Sequence, residues 1–204
     1  MPLSDPFRIL FVCTGNVCRS PFAEVLTRGL CAAQDFPVEV GSAGLDAPVG
    51  APMHPDTRAA LARWDLAGAP AEGCRARLLT PAMVVEADLV LGATLEHRAA
   101  IVRLAPKGLR HTFALREFAR LAAAVDPAGL PTDPAARGRA VVVAAKAHRG
   151  ARPVAPDADD IADPIGRPAA AHLAAAAAVA DAVSTIVRVL TGVTTPEMRT
   201  AQRV

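Results

Sequence analysis

Apolar positions in this chain fall into short continuous runs separated by stretches with helical spacing. Phe7 to Val12 is aliphatic and β-branched, ends in a Gly-containing loop and then meets Pro21, which reads as strand, turn and helix start. Pro37 to Val40 reads as a second strand closing at Gly41-Ser42-Ala43-Gly44. Asp88 to Ala93 is nearly continuous in apolar residues, as a strand covered on both faces should be, and His111 to Ala114 supplies a fourth. Between and after these, helices are expected from Pro21 to Ala33, His54 to Trp64, Leu95 to Leu104, Arg116 to Ala124 and Pro168 to Leu190. Strands alternating with helices predict an α/β fold with a parallel sheet, and such sheets bind ligands in loops at the C-terminal ends of their strands.

Two stretches depart from this rhythm. Residues Asp126 to Asp157 are rich in Pro, Asp and Arg, as expected of a variable exposed segment, with an extra helix starting at Asp133-Pro134 and ending near Lys146, His148, Arg149 and Gly150. Its basic end is read as a solvated helix end, with docking of acidic substrates as the lesser alternative. The tail, residues 191–204, carries scattered charge and is expected to be mobile, leaving 1–190 as one domain.

Composition narrows the partners. A length of 204 residues suits one full-sized domain, and a net charge of +2 demands neither nucleic acid nor an anionic membrane. The early apolar run is too short for a signal peptide, and the Ala-rich run from Leu173 to Ala180 reads as the buried face of a helix, so a cytoplasmic protein is expected. Cys13, Cys18, Cys31 and Cys74 show no C-x-x-C spacing and no His pairing of the zinc type, so no metal or other cofactor is expected. Cys31, on the first helix, is assigned to the core.

The loop Cys13-Thr14-Gly15-Asn16-Val17-Cys18-Arg19-Ser20-Pro21 carries the chemistry. A helix starting at Pro21 leaves its first amides unpaired and pointing back into the loop, an anion site by construction. Ser20 suits the N-cap and Pro21 the first helical position, while Gly15 and Asn16 tolerate left-handed backbone. The Arg19 guanidinium can hold two oxygens of a tetrahedral anion. Positive charge around Cys13 favours its thiolate, a nucleophile facing whatever phosphoryl group the loop binds. Ser20 is placed to donate its hydroxyl to that sulfur.

Val12 to Pro21 resembles the V-C-x-G-N-x-C-R-S-P signature of low-molecular-weight protein tyrosine phosphatases at every fixed position. The resemblance implies an open four-stranded parallel sheet of order 2-1-3-4 with helices on both faces, and the phosphate loop after the first strand. It makes Cys13 the nucleophile and Arg19 with the loop from Thr14, Gly15, Asn16, Val17 and Cys18 to Ser20 the phosphate cradle. It also makes Ser42 a partner of Asn16. Cys74, in Cys74-Arg75-Ala76-Arg77, stands where the family usually has a His that supports the same network. Cys18 is either a partner of Cys13 in a reversible disulfide, as the family implies, or a packed small residue.

Hydrolysis of an aryl phosphate also needs a proton donor for the leaving group. Asp-Pro occurs at Asp5, Asp126, Asp133 and Asp163. Asp163 is preferred because Asp160-Ile161-Ala162-Asp163-Pro164 precedes the last helix, where the family carries its D-x-x-D-P acid loop. The neighbours Asp159 and Asp160 are expected to crowd it with like charge. His97 and Arg98 are read as a solvated helix start rather than as residues facing the loop.

Substrate choice stays open between protein phosphotyrosine and phosphoarginine. Tyrosine-specific relatives wall the pocket with aromatics, whereas this chain has Ala47, Pro48 and Val49, then Ile165 and Gly166. Val17 has the shape of the Thr that arginine phosphatases tend to hold, without its hydroxyl. Phosphotyrosine is favoured. A non-catalytic phosphate-binding module is the reading from another class, and an arsenate reductase is disfavoured because it needs later resolving cysteines. The expected partner is a phosphorylated protein or small aryl phosphate, with no nucleic acid, no membrane and a monomer as the expected state.

Overall fold

The computed structural model describes residues 5–64, 73–150, 155 and 157–192. Four parallel strands, β1 (Phe7–Cys13), β2 (Val38–Gly44), β3 (Leu89–Gly92) and β4 (Thr112–Ala114), form one sheet of order β2-β1-β3-β4. The helices are α1 (Arg19–Ala32), α2 (Pro55–Ala60), α3 (Pro81–Glu86), α4 (Leu95–Leu104), α5 (Leu115–Ala122), α6 (Pro134–Ala147) and α7 (Ala169–Thr191). Short 3-10 turns at Leu61–Trp64 and Pro106–Arg110 follow α2 and α4.

Period-two alternation in β1 divides the interior. Ile9 and Phe11 point into a core shared with α1, α5, α6 and α7, while Leu10 and Val12 meet Leu79, Val84, Ala87 and Ile101 under α3 and α4. Because both faces are covered, every residue of β3 is buried. The register pairs Cys13 with Gly44 and Val12 with Gly92, so three strands end together under the loop that follows β1.

Two differences from the sequence expectation have packing causes. The helix at Pro134 is no exposed appendage: Asp133 caps it through Ala136 N at 2.8 Å, and Ala135, Val141, Val142 and Ala145 are buried. It lies so close to β1 that a side chain at Gly138 would sit 2.6 Å from the Phe7 ring. Its basic end is not wholly solvated either, since Arg149 binds Glu117 at 2.9 Å and stacks 4.1 Å over the Phe113 ring.

Helix α7 has an 18-residue window of mean hydropathy 1.8, making it long and apolar enough to cross a membrane. Half of that window is buried, with Val179, Val183, Ile186 and Leu190 in the core against α1 and α5. The expected mobile tail lies outside the described residues beyond Gly192.

Candidate active site

The site begins with where α1 starts. Arg19, not Pro21, is the first helical residue and Cys18 is the N-cap, so Ser20 lies inside the first turn. This frees Ser20 from capping. Its hydroxyl lies 3.0 Å from Cys13 Sγ, accepts from Asn16 Nδ2 at 2.9 Å and is 3.3 Å from Ala43 O. Cys13 itself is 2% exposed at the end of β1.

The loop carbonyls are turned outward. Those of Cys13, Thr14, Val17 and Cys18 accept from the amides of Leu45, Asp46, His54 and Phe22 at 2.8–3.1 Å. A planar trans peptide points its N–H opposite its C=O, so the amides of Thr14, Gly15, Cys18 and Arg19 face the other way, into the loop. Asn16 alone in the loop takes the left-handed conformation, at φ 51°; Gly15, expected to share it, does not.

Buried side chains fix the loop from below. Asn16 Nδ2 donates to Ser42 Oγ at 2.8 Å as well as to Ser20, and its Oδ1 accepts from Arg77 N at 3.0 Å. Ser42 in turn donates to Glu24 at 2.5 Å, and Glu24 pairs with Arg28 at 2.6 Å. Nothing in the local spacing of α1 singles out Glu24. The structure makes it the anchor of the Asn16–Ser42 brace.

Gly44 is also required. A Cβ there would lie 2.5 Å from Thr14 O and 2.9 Å from Asn16 N, both backbone atoms, so only glycine lets β2 end against the loop. Cys74 is half-buried, and burial followed by the Glu24 charge raises its thiol pKa. From its stretch it is Arg77 that reaches the loop, through Asn16 and through Ser42 O.

Arg19 is 5% exposed and spans the mouth. Nη1 donates to Ile161 O at 3.0 Å, and Nη2 pairs with Asp163 Oδ2 at 2.6 Å and reaches Thr14 Oγ1 at 3.4 Å. Its Nε has no hydrogen-bond partner among the described residues. Asp163, 45% exposed at its side chain, also accepts from Ile165 N at 3.2 Å.

The expected like-charge crowding of Asp163 gives way to other pairings. Asp159 is buried against Arg120 at 2.7 Å, and Asp160 accepts from Leu95 N at 2.7 Å. Both bonds hold the acid segment onto the body of the fold, with Ile161 N on Ala93 O at 3.0 Å.

His97 corrects the solvated reading. It is 8% exposed, with Nε2 3.0 Å from Thr14 Oγ1 and Nδ1 2.6 Å from Thr94 Oγ1. Burial and then the Arg19 charge lower its pKa, so the imidazole is held neutral. The Thr94 N-cap, which accepts from His97 N at 3.1 Å, aims the ring at the loop. Arg98 instead turns to Thr112 O and Glu117.

Cys18 faces away from this cluster toward α2 and α7, 3.8 Å from His172 Nδ1. Burial pushes its thiol pKa up to about 11, so it is a protonated, packed side chain, and Cys13 and Cys18 are both free thiols. Around the mouth, Val49 and Ile165 are 73% and 49% exposed and carry no ring. The larger surface grooves, one of about 580 Å³ around Arg28 and Phe36, contain none of the loop residues. Converging donors rather than volume mark this loop, because a small, charged group needs donors more than space.

The family model described as "Low molecular weight phosphotyrosine protein phosphatase" matches residues 8–142. "Low molecular weight phosphotyrosine protein phosphatase 2" of Drosophila melanogaster is 38% identical over 109 residues, 52% of this chain and 63% of that protein, which is under two thirds of its length. A "Protein-arginine-phosphatase" of Geobacillus stearothermophilus is 36% identical over 114 residues, 55% of this chain and 72% of that protein. Among solved structures, the low molecular weight protein tyrosine phosphatase from T. tengcongensis superposes with a TM-score of 0.65 at 26% identity, covering 89% of this chain and 98% of that one. The YwlE arginine phosphatase from Geobacillus stearothermophilus does so with a TM-score of 0.63 at 28% identity, covering 90% and 92%.

Proposed function

From the premise that the chain belongs to the low molecular weight phosphotyrosine protein phosphatase family, we propose that it hydrolyses protein phosphotyrosine through a phosphocysteine intermediate on Cys13. The observation that carries this reading is the Arg19 guanidinium at the loop mouth, with Nε unpartnered and Nη2 on Asp163. A fork held in that pose has a free arm for a phosphoryl oxygen and an acid at its other arm.

In the first step the Cys13 sulfur attacks phosphorus, and the inward amides and Arg19 hold the equatorial oxygens. The phosphorus–oxygen bond to the tyrosine ring breaks as Asp163 gives its proton to the departing oxygen. Arg19 and Asp163 are ion-paired before substrate enters. A phosphate dianion competes for the guanidinium, and its negative charge favours the protonated carboxyl that the step requires.

In the second step Asp163, now a carboxylate, takes a proton from water as the water oxygen attacks phosphorus. The phosphorus–sulfur bond breaks and inorganic phosphate leaves. The Ser20 hydroxyl, 3.0 Å from Cys13 Sγ, stabilises the departing thiolate. His97 and Thr14 keep the first loop residue aligned, since Thr14 Oγ1 joins the imidazole to Arg19.

A second substrate class, protein phosphoarginine, is favoured by the rim. Val49 and Ile165 offer exposed aliphatic surface, with no ring to stack on a phenyl group. The test is phosphate release from matched phosphotyrosine and phosphoarginine peptides, with Cys13→Ser as the blank. Release from the tyrosine peptide that depends on Cys13 supports the proposal, and release confined to the arginine peptide transfers it to that substrate. No release from either in folded, reduced protein leaves a phosphate-binding module.

A further inference from the structure

On the face of the loop turned away from Cys13, three side chains from separate elements converge. Cys18 comes from the α1 N-cap, His54 from the N-cap of α2, and His172 from the first turn of α7. One donor atom from each lies within 4.8 Å of the others. Cys18 and His172 are 3% and 1% exposed, whereas the His54 side chain is 33% exposed.

His172 is the anomaly. Its Nδ1 meets Thr57 Oγ1 at 2.9 Å, but its Nε2 is buried with no hydrogen-bond partner among the described residues. An imidazole nitrogen left unpaired in an interior is costly. His54 presents a parallel case: Nδ1 is 4.0 Å from the Asp56 carboxylate. The Nδ1 of His172 also lies 3.8 Å from Cys18 Sγ, so it is this nitrogen, now on Thr57, that an ion would take.

We propose that Cys18, His54 and His172 form a binding site for a divalent cation of the zinc class. A thiolate with two imidazoles is the donor set such ions take, and three protein ligands leave a fourth position for water. In a tetrahedral site the sulfur and each nitrogen lie about 3.6 Å apart, given metal distances of about 2.3 and 2.0–2.1 Å. The 3.8 Å between Cys18 Sγ and His172 Nδ1 shows that this thiol and ring already sit at that scale.

His54 has to move. Its ring stacks on His172 with centroids 4.2 Å apart and planes at 17°, so their lone pairs run side by side rather than converging. The side-chain bond it gives up in turning is a long one, from Asp56 N to Nδ1 at 3.3 Å. Binding replaces the Cys18 S–H bond with a sulfur–metal bond, and the proton passes to solvent. The ion then ties the loop to α2 and α7 one residue from Arg19 without entering the phosphate cradle.

The test titrates the reduced full chain with Zn²⁺ against a chromophoric chelator, and with Co²⁺ to read thiolate-to-metal charge-transfer absorption. One equivalent is expected in the wild type and in Cys13→Ser, with the absorption lost in Cys18→Ser and affinity at least about tenfold weaker in His172→Ala and His54→Ala. Should Cys18→Ser or His172→Ala fail to fold, His54→Ala, at a half-buried position, decides. Zn²⁺ must raise the unfolding temperature of the wild type and do so less for that variant. Failure to bind Zn²⁺, absorption that survives Cys18→Ser, or absorption that disappears only in Cys13→Ser would overturn the site.

Discussion

The floor of the phosphate loop and its rim are built to opposite standards. On the floor, Ser20, Asn16, Ser42 and Glu24 are buried, each hydrogen-bonded to the next, and Gly44 leaves no room for a side-chain atom. On the rim, Val49, Ile165 and Gly166 are exposed, and a Cβ at Gly50 or Gly166 would meet nothing within 4 Å. A reacting phosphoryl group is the same in every substrate and rewards rigid, preorganised donors, whereas the group that carries it varies. Under the proposed function, the floor sets the reaction and the rim sets what enters.

The contrast is broken most sharply at the nucleophile. Cys13→Ser should lower turnover by at least about 10³-fold with little change in stability, measured by phosphate release and urea unfolding. Asp163→Asn comes next, with kcat expected to fall about 10²–10⁴-fold. The fall should be steeper for leaving groups of high pKa than for nitrophenol, a dependence that a purely structural role would not produce.

Floor substitutions should act through folding as well as rate. Gly44→Ala forces the backbone of Thr14 and Asn16 to shift and is expected to destabilise by about 1–3 kcal/mol in denaturant melts. The same change at Gly50 meets no atoms, but its φ of 85° makes a side chain strained on conformational grounds alone.

Acid should weaken the floor through His97. Its folded pKa lies below the ordinary 6.5, so the unfolded chain binds more protons between the two values. This contribution to stability is complete above about 6.5 and is lost as pH falls through the folded pKa. Urea unfolding between pH 7 and 5 should show a shallower pH dependence in His97→Gln than in the wild type. The smallest expected effect is at the rim: Val49→Phe should change stability by under about 0.5 kcal/mol. It should lower KM for phosphotyrosine peptides selectively by giving the phenyl ring a stacking partner.

Much of this was written locally. The strand and helix order, the loop after β1 and the Asp163 segment were readable because apolar periodicity, Gly and Pro punctuation and one dense motif each act over a few residues. The start of α1 was misplaced by two residues because Ser20 and Pro21 look like capping residues, whereas Ser20 is drawn to Cys13 and Asn16. His97 looked like a solvated helix start, since nothing in its own helix reveals that Thr14 lies above it.

By itself, then, the sequence determined the parallel α/β fold and the loop after β1 on which the proposed function rests, both consequences of short-range patterning. Only the tertiary structure decided that Glu24 anchors Asn16 through Ser42, and that Gly44 must lack a side chain. It alone brought Cys18 and His172, far apart along the chain, to within 3.8 Å. Such contacts depend on where parallel strands end and how α7 crosses α1, and no local spacing encodes a distance closed by the packing of a common core.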